Sequence, residues 1–242
     1  MTDLVRWSSP RPEATVARLA AALGGDSQRV GGSLRVRLAN AVVEVVPGRR
    51  LEDGRLAGGR AADERLLTPA GLFDGARPGN RESHEPGEAG RLGLDAAGPG
   101  SAWRLVALGW ATVDLDRTAG EFGLRVEPGP SDRLLGARCG MVVGPGVVLL
   151  EPATEGRLAA SLARWGEGPI ALYVARGQTG VGPDIDGWRE ALRALELPTS
   201  AVARGPFGRS FLLAGGPPWG PHLVFCERRR GTAAVKDASG EG

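Results

Sequence analysis

The sequence predicts an α+β fold of repeated βαβββ modules whose strands form cupped mixed sheets, and three observations carry that reading. Amphipathic helical stretches follow short apolar strands and precede further strands. Gly and Pro mark nearly every boundary between them. A Gly- and Arg-rich stretch from 48 to 100, poor in apolar residues, separates one such unit from the rest.

Taken in order, Leu4 to Ser9 reads as a strand that ends at Pro10 and Pro12, residues that close strands and open helices. Val16, Leu19, Ala20 and Leu23 recur at helical spacing over Glu13 to Leu23, and Gly24-Gly25 supplies the stop. Gln28 to Val30, Leu34 to Leu38 and Ala41 to Val46 then read as strands up to Pro47. After the insertion, Leu105 to Thr112 is a predicted strand and Asp114 to Phe122 a short helix with Asp114 as its N-cap. Leu134 to Val143 and Val147 to Glu151 read as strands around Gly144-Pro145-Gly146, and Glu155 to Trp165 as an amphipathic helix with Leu158 and Leu162 on its apolar face. The pattern then repeats: strand Ile170 to Ala175, helix Asp184 to Leu195, and strands Ser200 to Arg204, Ser210 to Ala214 and His222 to Glu227. The expected organisation is a βαβββ module over 1–47, an insertion or linker over 48–100 with little order, a paired βαβββ domain over 101–230, and a flexible tail over 231–242.

Composition narrows the function classes. Of 242 residues, 42% are hydrophobic, enough for a sizeable core, and the net charge of +2 gives no field that argues for nucleic acid or a membrane as partner. Lys236 is the only lysine, so the arginine content reads as coding bias and not as a basic recognition surface. The two cysteines, Cys139 and Cys226, build neither a disulfide framework nor a cysteine zinc site. The segment after Met1 lacks the apolar stretch of a signal peptide and no run of about 18 apolar residues occurs, so the expectation is a soluble, cytoplasmic protein.

Three stretches carry a family resemblance. Gly109-Trp110-Ala111-Thr112-Val113-Asp114-Leu115-Asp116-Arg117, Val148-Leu149-Leu150-Glu151-Pro152, and the run from Leu162 to Val174 containing Gly166-Glu167-Gly168 occur in the order and at the spacing of one family. Over Trp103 to Arg228 the chain resembles the vicinal oxygen chelate (VOC) superfamily, the glyoxalase, bleomycin-resistance and extradiol dioxygenase type. Leu38-Ala39-Asn40-Ala41 is similar to a further stretch of glyoxalase-like proteins. The resemblance implies a divalent ion held by His and Glu on the concave face of a cupped sheet. Carried over residue by residue, the four ligand positions fall on Ala107, Val148, Pro169 and Val224, none of which ligates a metal. The expectation is therefore no metal and no other cofactor.

If those positions face the cup, strand alternation adds Leu105, Gly109, Ala111, Leu150, Ala171, Tyr173, Ala175, His222 and Cys226 to the same face. Ala107, Val148, Leu150, Tyr173, His222, Val224 and Cys226 become the candidate ligand-binding residues of a mostly apolar cup. Each also has a plain structural reading. His222 suits a hydrogen-bonded histidine beside Pro221, Cys226 and Cys139 small buried hydrophobes, and Tyr173 packing with a satisfied hydroxyl. Glu151 fits a structural place, and Glu44 either a surface place or a second, intersubunit cup opposite Arg35 or Arg37. His84 with Glu82 and Glu85 imitates a metal cluster, within a Gly- and Pro-bearing loop.

Three functions remain open. One is a small-organic-molecule binder without metal. The second is a VOC-type lyase, isomerase or dioxygenase, metal-free with His222 and Tyr173 as base and acid, or with relocated metal ligands. The third is structural: an orphan half-module that completes itself by pairing with a second chain, with no ligand and a cup filled by its own side chains. Because the number of modules is odd, a homodimer through Leu4 to Pro47 is expected, the alternative being that the N-terminal module packs against the other two within one chain.

Overall fold

The computed structural model of the chain describes residues 3–9, 11–47, 103–144, 146–176, 184–214 and 221–227. The insertion 48–100, with His84, Glu82 and Glu85, and the tail 231–242 lie outside the described residues. The first unit is β1 (Asp3–Ser9), α1 (Pro12–Leu23), β2 (Ser27–Val30), β3 (Ser33–Arg37) and β4 (Ala41–Pro47). Pro12 opens α1, where its missing N–H costs nothing, and Gly24 closes it in the left-handed region at φ 58°. The strands order β1-β4-β3-β2, with β1 parallel to β4 and the other pairs antiparallel. Val16, Leu19 and Leu23 of α1 pack in one cluster with Val5, Trp7, Val36, Val43 and Val45, so one face of this sheet is core.

The second sheet has eight strands. Its first unit is β5 (Trp103–Ala111), α2 (Leu115–Glu121), β6 (Val126–Asp132), β7 (Ala137–Val142) and β8 (Val147–Pro152). A connecting helix α3 (Arg157–Trp165) leads to β9 (Gly168–Arg176), α4 (Ile185–Ala194), β10 (Ala203–Gly205), β11 (Gly208–Leu212) and β12 (His222–Cys226). The order is β10-β11-β12-β9-β5-β8-β7-β6, so each unit places its first strand beside its fourth, in parallel, and the two units join through antiparallel β5 and β9. The edge strands β6 and β10 approach each other, with the Arg133 N–H donating to the Arg204 carbonyl at 3.4 Å, so the sheet curls toward closure.

β6 is a strand that pattern reading does not find. Its sequence, Val126-Glu-Pro-Gly-Pro-Ser-Asp, has no apolar alternation, and Pro128 and Pro130 are tolerated because it is an edge strand. The expected strand Leu134 to Val143 is correspondingly shorter: residues 133–136 form the turn from β6 into β7.

α2 and α4 pack on the convex face. Leu115 of α2 joins Trp110, Val142 and Leu149, while Ile185 and Leu192 of α4 join Phe211, Leu223 and Phe225. Trp103 packs edge-on against both Trp188 and Phe225, at centroid distances of 5.2 and 4.8 Å. The start of α2 is fixed by three carboxylates, each suited to a helix N-terminus. Asp114 caps the Arg117 N–H at 2.9 Å, Glu151 accepts the Leu115 N–H at 3.0 Å, and Glu167 accepts from the Val113 N–H and the Thr112 hydroxyl, each at 2.8 Å. Asp114, Glu151 and Glu167, three of the carboxylates in the quoted family motifs, are thus structural here.

The sheets meet through Asn40. Its side-chain amide accepts from the Leu105 N–H at 2.8 Å and donates to the Leu105 carbonyl at 2.9 Å, and the Ala39 N–H donates to the Trp103 carbonyl at 2.8 Å. Among the described residues, no helix is long and apolar enough to cross a membrane.

Candidate functional site

Strand alternation places Ala107, Val148, Leu150, Tyr173, Val224 and Cys226 in a single buried cluster on the concave face, with Ala111, Ala171 and Cys139. Leu105 is a correction. One-residue bulges interrupt β5 at Val106 and β9 at Ile170, so Leu105 packs with the convex cluster and Val106 with the concave one. The two bulges are related by symmetry: Leu108 pairs with Leu172, Ala107 with Tyr173 and Gly109 with Ala171. Ala107 therefore corresponds to Ala171 in the second unit, and the position carried over to Pro169 moves to Ala171. Val148 and Val224 correspond in turn, each lying beside its unit's first strand, opposite Gly109 and Tyr173.

The divalent ion implied by the resemblance finds no ligands here. Ala107, Ala171, Val148 and Val224 offer only hydrocarbon, and all four are at most 2% exposed. Among the described residues, no group of three or more His, Cys, Asp or Glu is placed to hold a metal.

The cup is packed. Helix α3 lies against its concave side, with Leu158 and Leu162 in the cluster and the Ser161 hydroxyl 3.2 Å from His222 Nε2. At Gly109 a methyl group would stand 2.9 Å from Ala171 Cβ, 2.9 Å from Leu150 Cδ1 and 3.1 Å from Tyr173 Cε2. Gly109→Ala is expected to cost about 1–3 kcal/mol, because Ala171 Cβ is fixed by its strand and cannot yield as Leu150 can. Urea unfolding of the variant checks this.

One carboxylate lies deep in the cluster, near the buried Ser210. Asp132, at the end of β6 and 1% exposed, accepts from the Leu134 and Leu135 N–H groups at 2.8 and 3.0 Å and from the Tyr173 hydroxyl at 2.7 Å. Burial raises the Asp132 carboxyl above its ordinary value against these hydrogen bonds, and burial with the adjacent Asp132 raises Tyr173 well above the ordinary phenol. Sequence reading misses Asp132 because it sits in the unrecognised strand. Its one signal is an Asp followed at two and three residues by Leu134 and Leu135, the spacing of a side-chain-capped turn.

The remaining candidates are inert acids and bases near neutral pH. Burial pushes the Cys139 and Cys226 thiols up to about 12, and Arg138 is turned to Glu151 at 2.7 Å. Burial, with the charge of Arg157, pulls His222 down to about 4. The ring is thus neutral in the fold but takes a proton more readily when unfolded. Its contribution to stability is complete above about pH 6.5 and is lost as pH falls through about 4. His222→Gln is expected to flatten the decline of Tm across that window, measured by thermal melts at stepped pH.

Glu44 lies on the face of the first sheet opposite α1, in a row Arg6–Glu44–Arg35 across three strands. Its side chain is 3% exposed. Glu44 Oε2 accepts from Arg6 Nε at 2.7 Å, and Oε1 accepts from Arg35 Nη2 at 2.7 Å and from the Ser33 hydroxyl at 2.8 Å. Burial alone raises this carboxyl, but the hydrogen bonds from Arg35, Arg6 and Ser33 outweigh it and hold Glu44 at about 2. Of the two arginines that sequence reading set opposite Glu44, the structure pairs Arg35; Arg6 and Ser33 come from register, which spacing does not reveal.

Two βαβββ units joined through their first strands into one cupped sheet define the vicinal oxygen chelate fold, and this chain has that fold. No family model matches the sequence, and no curated protein matches it. Among solved structures the chain is similar to 2,2',3-trihydroxybiphenyl 1,2-dioxygenase from dibenzofuran-degrading Sphingomonas wittichii strain RW1. That match has 15% identity and a TM-score of 0.50 over 93% of this chain and 88% of that one. Methylmalonyl-CoA epimerase from Mycobacterium tuberculosis matches with 20% identity and a TM-score of 0.43, over 52% of this chain and 88% of that one. A hypothetical protein from Bacillus halodurans C-125 matches with 16% identity and a TM-score of 0.44, over 55% of this chain and 99% of that one.

Proposed function

We propose that this VOC-fold chain binds a small organic molecule in the cup of its eight-stranded sheet and does no metal-dependent chemistry there. The observation that carries the reading is the replacement of all four ligand positions by Ala107, Ala171, Val148 and Val224 beside a small buried polar set, Tyr173, Asp132 and Ser210. Such a surface favours an apolar body with one hydrogen-bonding group. Because α3 covers the cup, the ligand takes the place of Leu158 and Leu162 as that helix lifts. α3 is nine residues long and starts at Gly156 without a side-chain cap, so its first turn is weakly held.

The acid–base enzyme reading is weaker. A phenol raised well above its ordinary value and an imidazole held near 4 are both neutral at pH 7 and poorly matched to proton transfer there. The close contacts around Gly109 favour a second reading, in which the cup is simply core.

Thermal-shift screening with small uncharged aromatic and alicyclic compounds, followed by hydrogen exchange, separates the two. Binding at a hundredfold excess over Kd adds about 2.7 kcal/mol of stability. The proposal expects that gain to shrink in Tyr173→Phe and the α3 amides to exchange faster in the complex. Stabilisation with α3 protection unchanged overturns the displacement of α3, and no stabilisation by any compound favours the core reading.

A further inference from the structure

The first sheet is built on the same plan as the units of the second, and one pair of buried hydroxyls sets the alignment. Ser9 Oγ lies 2.8 Å from Thr15 Oγ1, and Thr112 Oγ1 lies 2.7 Å from Thr118 Oγ1, each pair six residues apart at the junction of first strand and helix. In both units the helix begins three residues after the first hydroxyl, and a buried tryptophan, Trp7 or Trp110, stands two residues before it. Val5 thus corresponds to Leu108, Arg6 to Gly109, and Glu44, opposite Arg6, to Val148, opposite Gly109.

The correspondence shows what the first unit lacks. In the second sheet, the two first strands β5 and β9 pair antiparallel with Leu108 opposite Leu172, and that pairing turns two half-cups into one. In the first sheet the equivalent strand β1 is the edge, and among the described residues no strand pairs with its outer side. An edge whose outer backbone groups have no strand partner among the described residues, beside buried Val5 and Trp7, is a template for another strand.

We propose that the missing half is a second copy of this chain, paired through β1 against β1 about a twofold axis with Val5 opposite Val5. The internal β5–β9 pair supplies the geometry, and a closed twofold contact satisfies both edges at once. The dimer completes a second cup in which each copy contributes its Arg6–Glu44–Arg35 row. Where the first cup has Gly109, Val148 and Met141 in register, the second has two arginines around a carboxylate, so the two cups of one fold differ in kind. The proposal does not depend on the ligand reading of the first cup.

Sedimentation velocity of the full chain over a wide concentration range, with hydrogen exchange read by mass spectrometry, tests it. The expected species has twice the 25.1 kDa chain mass. In it, the β1 amides exchange about tenfold or more slowly than those of β2, the opposite edge, and lose that protection as dilution releases monomer. A monomer at every concentration overturns the proposal, and so does a dimer whose β1 amides exchange as fast as those of β2.

Discussion

Asp132→Ala is expected to lower the stability of the chain by about 3–5 kcal/mol, because three donors, two of them buried, lose their acceptor together. The Tyr173 hydroxyl and the Leu134 and Leu135 N–H groups all end on this carboxylate. A buried donor left without a partner costs roughly 1–3 kcal/mol, and the three share one site, so their costs do not simply add. For a chain of this size the Tm falls by roughly 10 °C. Asp132→Asn keeps a carbonyl acceptor and is expected to lose less than half as much. Tyr173→Phe, which leaves both backbone bonds in place, loses about 1–1.5 kcal/mol. Denaturant unfolding of the three variants ranks them, and Asp132→Ala within about 0.5 kcal/mol of the parent contradicts this account of the turn. The pH dependence has the opposite sign to that of His222. A carboxyl raised by burial favours the fold below its unfolded value, and that contribution is lost as pH rises through its raised folded value.

Leu158→Ala carries the second large effect. Leu158 is fully buried in the concave cluster, and removing its isobutyl group costs about 2–5 kcal/mol in lost burial and in the cavity left behind. The cavity opens inside the cup, between α3 and the sheet, and an apolar cavity of this kind stays dry and accepts small hydrocarbons. Benzene is therefore expected to raise the Tm of Leu158→Ala more than that of the parent chain. Leu162→Ala, at 8% exposure, is expected to lose less. Equal benzene effects in parent and variant indicate that the neighbours collapse into the gap, and that the cup does not retain its shape when α3 is displaced.

Much of this architecture is legible in the sequence where hydrophobic period and punctuation agree. α1 between Pro12 and Gly24, and the strands from Val147 and Ile170 onward, follow from apolar spacing bounded by Gly or Pro. β6 does not, because Pro128, Gly129 and Pro130 remove every pattern a strand usually shows, and only its edge position makes it possible. The bulges at Val106 and Ile170 are similarly hidden, since a one-residue insertion leaves composition unchanged while it reverses the face of Leu105. The concave face beyond the bulges reads correctly by alternation, which is why Ala107, Val148, Leu150, Tyr173, Val224 and Cys226 fall together.

The location of α3 is a different kind of limit. Leu158 and Leu162 announce a buried face, but amphipathicity does not say which side of a sheet that face meets. Partners across strands are equally invisible. Glu44 stands out in an apolar strand, yet that Arg6 and Arg35 flank it depends on pairings 38 and 9 residues away in the chain.

In this cup, hydrocarbon stands at the positions where the family resemblance implies metal ligands. Elemental mass spectrometry on the full chain, purified without chelators and without a histidine tag, tests the consequence directly. The account predicts Zn, Fe, Mn, Ni and Co all far below one per chain, with no change in Tm on adding any of them. A near-stoichiometric metal that is removed by chelators, with loss of stability, contradicts it and moves the search for ligands to His222, His84 and the carboxylates of Glu44 and Glu151.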